Sequence, residues 1–198
     1  MINKIFIISL SAALLFGCAS TKITRMESNE IVDLSGDWND ADSQITSQAL
    51  VNSCLGSYWR EEFMEKKGKK PVVIVGMILN RSQEHINTQT ITKDLETALV
   101  NSGRIKFVAS STERQELRSE KDDQATFSSQ ATKKAKFQET GADFMLKGQI
   151  NTIFDELGKE SVKYYQVELE LINIKTNEKV WIGQKKIKKL VKKRKRKF

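Results

Sequence analysis

Residues 72–79 constrain the fold more than any other part of the sequence. They follow Pro71, the only proline, and read VVIVGMIL without a polar residue. Such an apolar run rich in β-branched residues is typical of a strand that is covered on both faces. The sequence therefore predicts a sheet that packs against helices.

The segments around this strand predict alternating helices and strands. Helices are predicted for residues 44–59, 90–101, from 111 or 112 to about 118, and 128–140, with a mobile polar connection at 120–126. Further strands are predicted for residues 105–108, 144–150 and 165–174, and a last one begins at residue 180.

The order of these segments defines the fold class. In the predicted strand 165–174, Val167, Leu169 and Leu171 alternate with glutamates, which indicates one buried and one exposed face. A helix, a βαβ unit, further helices and a three-stranded meander follow one another. We expect an α/β (α+β) fold with a mixed, mainly antiparallel sheet of about four to five strands flanked by helices.

The N-terminus resembles a lipoprotein signal peptide. Lys4 precedes a short apolar run, residues 5–16, which is too short for the ~20 residues of a membrane-spanning helix but suits the ~7–15 residues of a secretory signal. Leu15-Phe16-Gly17-Cys18 resembles a lipobox, although Phe16 departs from the small residue usual there. This predicts cleavage after residue 17 and a diacylglycerol and an N-acyl lipid on Cys18; the alternative is an ordinary buried cysteine. Ala19 favours sorting to the outer membrane, facing the periplasm.

Four regions are expected: a signal peptide (1–17), a lipid-anchored flexible tether (18–34), a single globular domain (35–184) and a basic tail (185–198). Fully extended, the ~15 tether residues reach only ~50 Å. Cys54 has no second cysteine to pair with once Cys18 carries lipid, and its helical spacing from Val51, Leu55 and Tyr58 predicts a buried core position.

The net charge of +8 arises from the C-terminus. Residues 185–197 include ten basic and no acidic residues, which leaves 23 basic against 25 acidic residues in the rest of the chain. The tail is either a solvated, frayed terminus or a contact with anionic lipids through residues 185–197. Export argues against nucleic acid as a partner.

The sequence offers no set of residues for catalysis. His85 is the only histidine and lies in a polar loop, and no nucleophile or nucleotide-binding motif is present. Asp37, Asp40 and Asp42 lack the glycine and distal glutamate of a calcium-binding hand, so helix capping explains them better. We expect no catalytic residues, no metal site and no cofactor besides the lipid.

Five stretches of the chain together resemble one known family. They are SGDWNDADS (35–43), KPVVIVG (70–76) leading to NRS (80–82), LVNSGRIKFV (99–108), GADFML (141–146) and EKVW (178–181). Their residues and order are similar to the LpoB-like (YcfM-type) lipoprotein activators of class A penicillin-binding proteins. Unlike well-known members, this chain has no proline-rich linker before the domain, and the family pattern does not require a basic tail.

The resemblance implies a domain similar to the N-terminal domain of TolB, without enzymatic activity. It implies an outer-membrane lipoprotein, which we expect to be monomeric, that binds and activates a class A penicillin-binding protein and so regulates peptidoglycan synthesis. Asn80, Arg81 and Ser82 are the candidate partner contacts; the alternative is that they only end the strand. The alternative function is a structural or assembly lipoprotein of the envelope with a TolB-like binding domain and no synthase partner.

Overall fold

A computed structural model describes residues 22–27, 30–135 and 138–193. The chain forms two units, Met1–Glu30 and Ile31–Phe198. In the first, the described residues contain no helix or strand. The predicted signal peptide, Cys18 and the tail residues 194–198 lie outside the described residues.

The second unit is an α+β domain, as predicted. Its described helices are α1 (Asp40–Gly56), α2 (Trp59–Lys67), α3 (Thr88–Asn101) and α4 (Ser111–Phe127). Its strands are β1 (Val72–Asn80), β2 (Lys106–Phe107), β3 (Phe144–Leu157), β4 (Glu160–Asn173) and β5 (Lys179–Lys192). They form one sheet in the order β2-β1-β3-β4-β5, in which β1 is parallel to β2 and β3 and the other neighbours are antiparallel.

The core lies between α1, α3 and one face of the sheet, called the inner face below. Leu95 of α3 and Leu171 of β4 are fully buried in it. Cys54 is a buried core residue, as predicted, and Trp181 is buried in the same core. No helix of the described residues is long and apolar enough to cross a membrane.

The predicted helix at residues 44–59 is two helices. Asn39 and Asp42 form a reciprocal capping box that starts α1, and the chain becomes extended at Ser57. The indole N–H of Trp59 donates to the carbonyl of Cys54 at 2.7 Å, which satisfies an open group at the end of α1. The charged segment that begins at Trp59 forms the separate helix α2.

The helix predictions after β2 were wrong in extent. A capping box between Ser110 and Glu113 starts α4, which continues to Phe127 through the predicted connection at 120–126. None of its residues is buried, so hydrophobic periodicity could not show its length. Residues 128–135 and 138–140 are not helical, because the helix ends at extended Ser128 and the following Ser and Thr residues favour turns.

The predicted boundary between domain and tail at residue 184 lies inside β5. Residues 185–192 pair with β4 up to the pair Glu160 and Lys192, so this part of the tail is not frayed. Ile187, Lys189 and Val191 are half-buried on the inner face, whereas the residues between them are exposed on the other face. The residues of this segment alternate between the two faces of the sheet, but lysines occupy positions on both faces, so the sequence does not show the alternation.

Candidate docking surface

The face of the sheet opposite the core, the outer face, is exposed over most of β3 and β5 and half-buried along most of β4. The predicted burial of β1 on both faces is confirmed for Val72 to Val75 but not beyond. Met77 is 72% exposed, and Leu79 is also exposed. Apolar side chains on an open sheet are a common feature of interaction surfaces.

A β-bulge turns Met77 outward. Val75 pairs with Leu146 and Ile78 pairs with Gly148, so Gly76 and Met77 both oppose a single residue, Lys147. Bulges re-aim side chains and are frequent near functional sites. The pattern of β1 could not reveal this shift, because every residue of the run is apolar or glycine.

The exposed side chains around the bulge border a shallow recess of about 280 Å³. Its lining is Met77, Leu79, Lys147, Gly148, Gln149, Glu168 and Glu170. A Cβ atom on Gly148 would collide with the carbonyl oxygen of Glu168 and with the side chain of Leu169, so glycine is required where β3 and β4 approach each other behind the recess. We call the exposed residues Met77, Leu79 and Lys147, together with half-buried Gln149, the docking face.

The carboxylates at the recess have partners on β5. Glu170 pairs with Lys179 at 2.6 Å, and Glu168 accepts a hydrogen bond from Gln184 at 2.8 Å. Lys147 makes no ion pair among the described residues. The docking face therefore combines two apolar side chains with an available ammonium group and an amide.

The predicted contact residues adjoin the docking face but differ in their availability. Asn80 donates to the carbonyl of Glu84 at 2.8 Å and accepts from the backbone and hydroxyl of Ser82 at 2.9 and 2.6 Å. These bonds order the loop after β1. Arg81 is exposed, and its side chain has no partner among the described residues. Contact with a partner stays a prediction, and Arg81 is the one of the three with a free side chain.

The ordered loop holds Glu84 over the inner face of β4. Its carboxylate accepts from the Tyr165 hydroxyl at 2.7 Å, from Lys163 at 2.8 Å and from the backbone N–H of Trp38 at 3.1 Å. Burial raises the pKa of Tyr165, and the hydrogen bond to Glu84 raises it further. The Trp38 ring packs edge-on against Tyr165, with centroids 5.4 Å apart. This cluster fixes the chain entry before α1, and Trp38 packs in it as a structural residue.

Lys189 joins the same entry segment to β5. Its ammonium lies 2.6 Å from carboxylate oxygens of both Asp33 and Asp42. Burial alone would lower the pKa of Lys189, but the hydrogen bonds to the two carboxylates outweigh it and the pKa is raised. The hydrogen bond from Lys189 lowers the pKa of Asp33. Contacts with the domain thus begin at residues 32–33, inside the predicted tether.

Sequence reasoning missed this ion-pair network. One signal was available: Lys163 and Lys189 occupy strand positions that share the inner face with Tyr165 and Ile187. A lysine that shares the buried face of an alternating strand needs an acidic partner, because an unpaired buried charge is costly. The partners themselves come from the segment before α1, from the first turn of α1 and from the loop after β1, and no local pattern identifies them.

The described residues contain no group of three or more His, Cys, Asp or Glu side chains that could hold a metal ion. His85 is exposed in the loop after β1, as its polar surroundings predicted.

A sheet with helices on one face and one bulged, partly apolar open face places the domain in the α+β class. Residues 42–187 match the family described as peptidoglycan-synthase activator LpoB, which is well over half of the chain. The chain belongs to this family, as its sequence motifs predicted.

The chain is also similar to solved structures, at low identity and with TM-scores below 0.5. The LpoB C-terminal domain from Escherichia coli is 20% identical, with 74% of this chain and 98% of that chain covered and a TM-score of 0.45. The corresponding domain from Salmonella enterica is 19% identical, with the same coverage and a TM-score of 0.43. Lipoprotein GNA1162 from Neisseria meningitidis is 13% identical over 61% of this chain and 83% of that chain, with a TM-score of 0.37. No curated protein sequence matches the chain.

Proposed function

We propose that this chain is a non-enzymatic outer-membrane lipoprotein that binds a class A penicillin-binding protein and stimulates its peptidoglycan synthesis. The match of residues 42–187 to the synthase-activator family carries the proposal. The exposed docking face supports it, because a binding protein needs a surface that a partner can cover. The lipid on Cys18 would hold the chain at the membrane.

The docking face gives the partner contact its expected chemistry. Met77 and Leu79 supply apolar contact area, and a flexible methionine adapts to the shape of the surface it meets. Lys147 and Arg81 would favour a partner surface with carboxylates around an apolar centre. The recess beside them would accept a single protruding side chain of the partner.

The short tether restricts where docking takes place. Since contacts with the domain begin at residue 32, only residues 19–31 lie between the lipidated cysteine and the domain. Fully extended, these residues reach about 45 Å. The domain would therefore meet the part of the synthase that approaches the membrane holding the lipid.

Co-purification followed by an activity assay tests this function. Crosslinked membranes should yield a class A penicillin-binding protein with the chain, and adding the purified chain should accelerate glycan polymerisation by the purified synthase. A chain that recovers no synthase and leaves its rate unchanged would instead be the structural or assembly lipoprotein considered from the sequence.

A further inference from the structure

A second exposed patch lies on the outer face at the other end of the sheet. Three cross-strand rows form it: Asn151, Gln166 and Lys186; Ile153, Tyr164 and Lys188; Asp155, Val162 and Leu190. Leu157 adds an exposed apolar side chain at the end of β3. We call these residues, together with Leu157, the hairpin patch. About eight residues of β3, or roughly 26 Å, separate its far end from the docking face.

The hairpin patch combines exposed apolar side chains with unpaired lysines. Leu190 is 58% exposed and Ile153 is exposed as well. Lys186 and Lys188 are exposed and make no ion pair among the described residues. The sequence continues with four basic residues at 194–197.

Two of the acidic groups nearby are already paired with other lysines. Glu160 pairs with Lys192 at 2.9 Å, and Glu156 pairs with Lys193 at 2.6 Å. Asp155 is the one carboxylate in the three rows and has no ion pair among the described residues, so it offsets one of the two unpaired lysines. The patch is therefore positively charged around an apolar centre.

We infer that the hairpin patch binds an anionic phospholipid surface. Lysines carry their charge on long flexible side chains. Such side chains can follow mobile phosphate headgroups, whereas a protein partner would present carboxylates at fixed positions. Ile153, Leu157 and Leu190 can enter the boundary between headgroups and acyl chains, as the apolar side chains of interfacial segments do. The inference goes beyond the proposed function, because it does not depend on which protein the docking face binds.

Membrane contact at this patch would orient the domain. The docking face lies roughly 26 Å from the apolar end of the patch at Leu157, so it would remain free while that end rests on the bilayer. The tether alone limits distance and leaves orientation open, whereas two attachment points fix both.

Fluorescence quenching by brominated lipids tests the inference on the full mature chain. Cys18 is coupled to a maleimide-bearing lipid, and buried Cys54 does not compete for the reagent. Leu190→Trp reports on the hairpin patch. Ile182→Trp is the matched control, because Ile182 is 53% exposed on the same face and strand but lies beside Glu170. The wild-type chain, measured with and without bromolipid, gives the signal of the three native tryptophans, which is subtracted from the signal of each variant.

In vesicles that contain anionic phospholipid, we expect strong quenching for Leu190→Trp and little for Ile182→Trp. Salt at about 0.5 M should abolish it. Adding Lys186→Gln and Lys188→Gln should weaken the association about 30-fold, since each lysine contributes about fivefold at such a surface.

Equal quenching at both positions, or equal quenching in purely zwitterionic vesicles, would overturn the inference. So would a photocrosslinker at position 190 that captures a protein in intact cells instead of lipid. The quenching assay contains no synthase, so its failure leaves the proposed activator function untouched, and loss of synthase stimulation leaves the quenching result standing.

Discussion

Replacing Lys189 with methionine should destabilise the domain strongly. The Lys189 side chain is only 11% exposed and neutralises Asp42, which is 8% exposed, and Asp33. Methionine keeps most of the aliphatic length but removes the charge. The Asp42 carboxylate would then lie buried with a single remaining bond, the one it accepts from the backbone N–H of Asn39 at 3.0 Å.

The expected cost is about 3 kcal/mol, the low end of the range for leaving one partner of a buried ion pair behind. The low end applies because Asp33 is partly exposed and can be rehydrated, and because Asp42 keeps its capping bond. Such a loss is a large fraction of the ~5–15 kcal/mol that holds a typical domain folded. Neutralising Asp42 at the same time should recover part of it, with a coupling of at least ~1 kcal/mol.

Urea unfolding followed by tryptophan fluorescence measures this effect on a chain that begins at Ala19. Lys188→Met is the matched control, because Lys188 is the neighbouring residue, is exposed on the outer face and has no ion pair among the described residues. It should change the free energy of unfolding by less than about 0.5 kcal/mol. The reasoning is refuted if Lys189→Met is equally mild, or if Lys189→Met/Asp42→Asn shows no coupling.

Three further outcomes follow from single sites. Gly148→Ala should lower the free energy of unfolding in urea by ~1–3 kcal/mol, because the new Cβ overlaps a backbone oxygen of β4. The control Gly141→Ala places a Cβ that meets nothing within 4 Å and should leave the free energy of unfolding nearly unchanged. Equal effects of the two substitutions would contradict the packing at Gly148. The hydrogen bond from Lys93 lowers the pKa of Glu113 to about 2 from 4.5. Its stabilising effect is therefore complete above pH 4.5 and is lost as the pH falls toward 2. In thermal melts followed by circular dichroism, the melting temperature of Glu113→Gln should lie below that of wild type at neutral pH, and the two should converge near pH 2. A difference in melting temperature that does not change with pH would contradict this titration. Burial raises the pKa of Cys54 to about 12 from 9.0, so a thiol reagent should modify it about 1,000-fold more slowly in the folded than in the unfolded chain, and comparable rates would contradict its burial.

The sequence predicted those elements whose side chains repeat with a clear period. The alternating Val167, Leu169 and Leu171 identified β4 and its buried face, and the family resemblance agreed with the sheet that these strands form. Helix α4 was underestimated because it buries no side chain and therefore carries no hydrophobic stripe. The start predicted at residue 111 or 112 agrees with Ser111, the first residue of α4, but the end predicted near residue 118 was wrong.

The extent of β5 was hidden by its composition. Lys185, Lys186, Lys188 and Lys189 are identical in type but lie on two faces, so their shared charge conceals the strand period. What places Lys189 on the inner face is a set of contacts with residues about 150 positions earlier in the chain. Long-range pairing of this kind has no local signature.

The candidate site was predicted only in part. Residues 80–82 adjoin the docking face, but two of the three serve the loop, and the bulge that exposes Met77 was not foreseen. A register shift is decided by how β1 and β3 pack together, around Gly76 and Gly148. Neither glycine has a sequence context that would identify it in advance.

Glycan polymerisation by a purified class A penicillin-binding protein tests the central claim most directly. Wild-type chain should accelerate it, and Met77→Glu should abolish the acceleration, because a carboxylate would replace the most exposed apolar side chain of the docking face. Ile182→Glu, an equally polar change at another exposed outer-face position, should retain it. No acceleration by wild type, or equal loss in both variants, would contradict the proposal that this chain activates a synthase through its docking face.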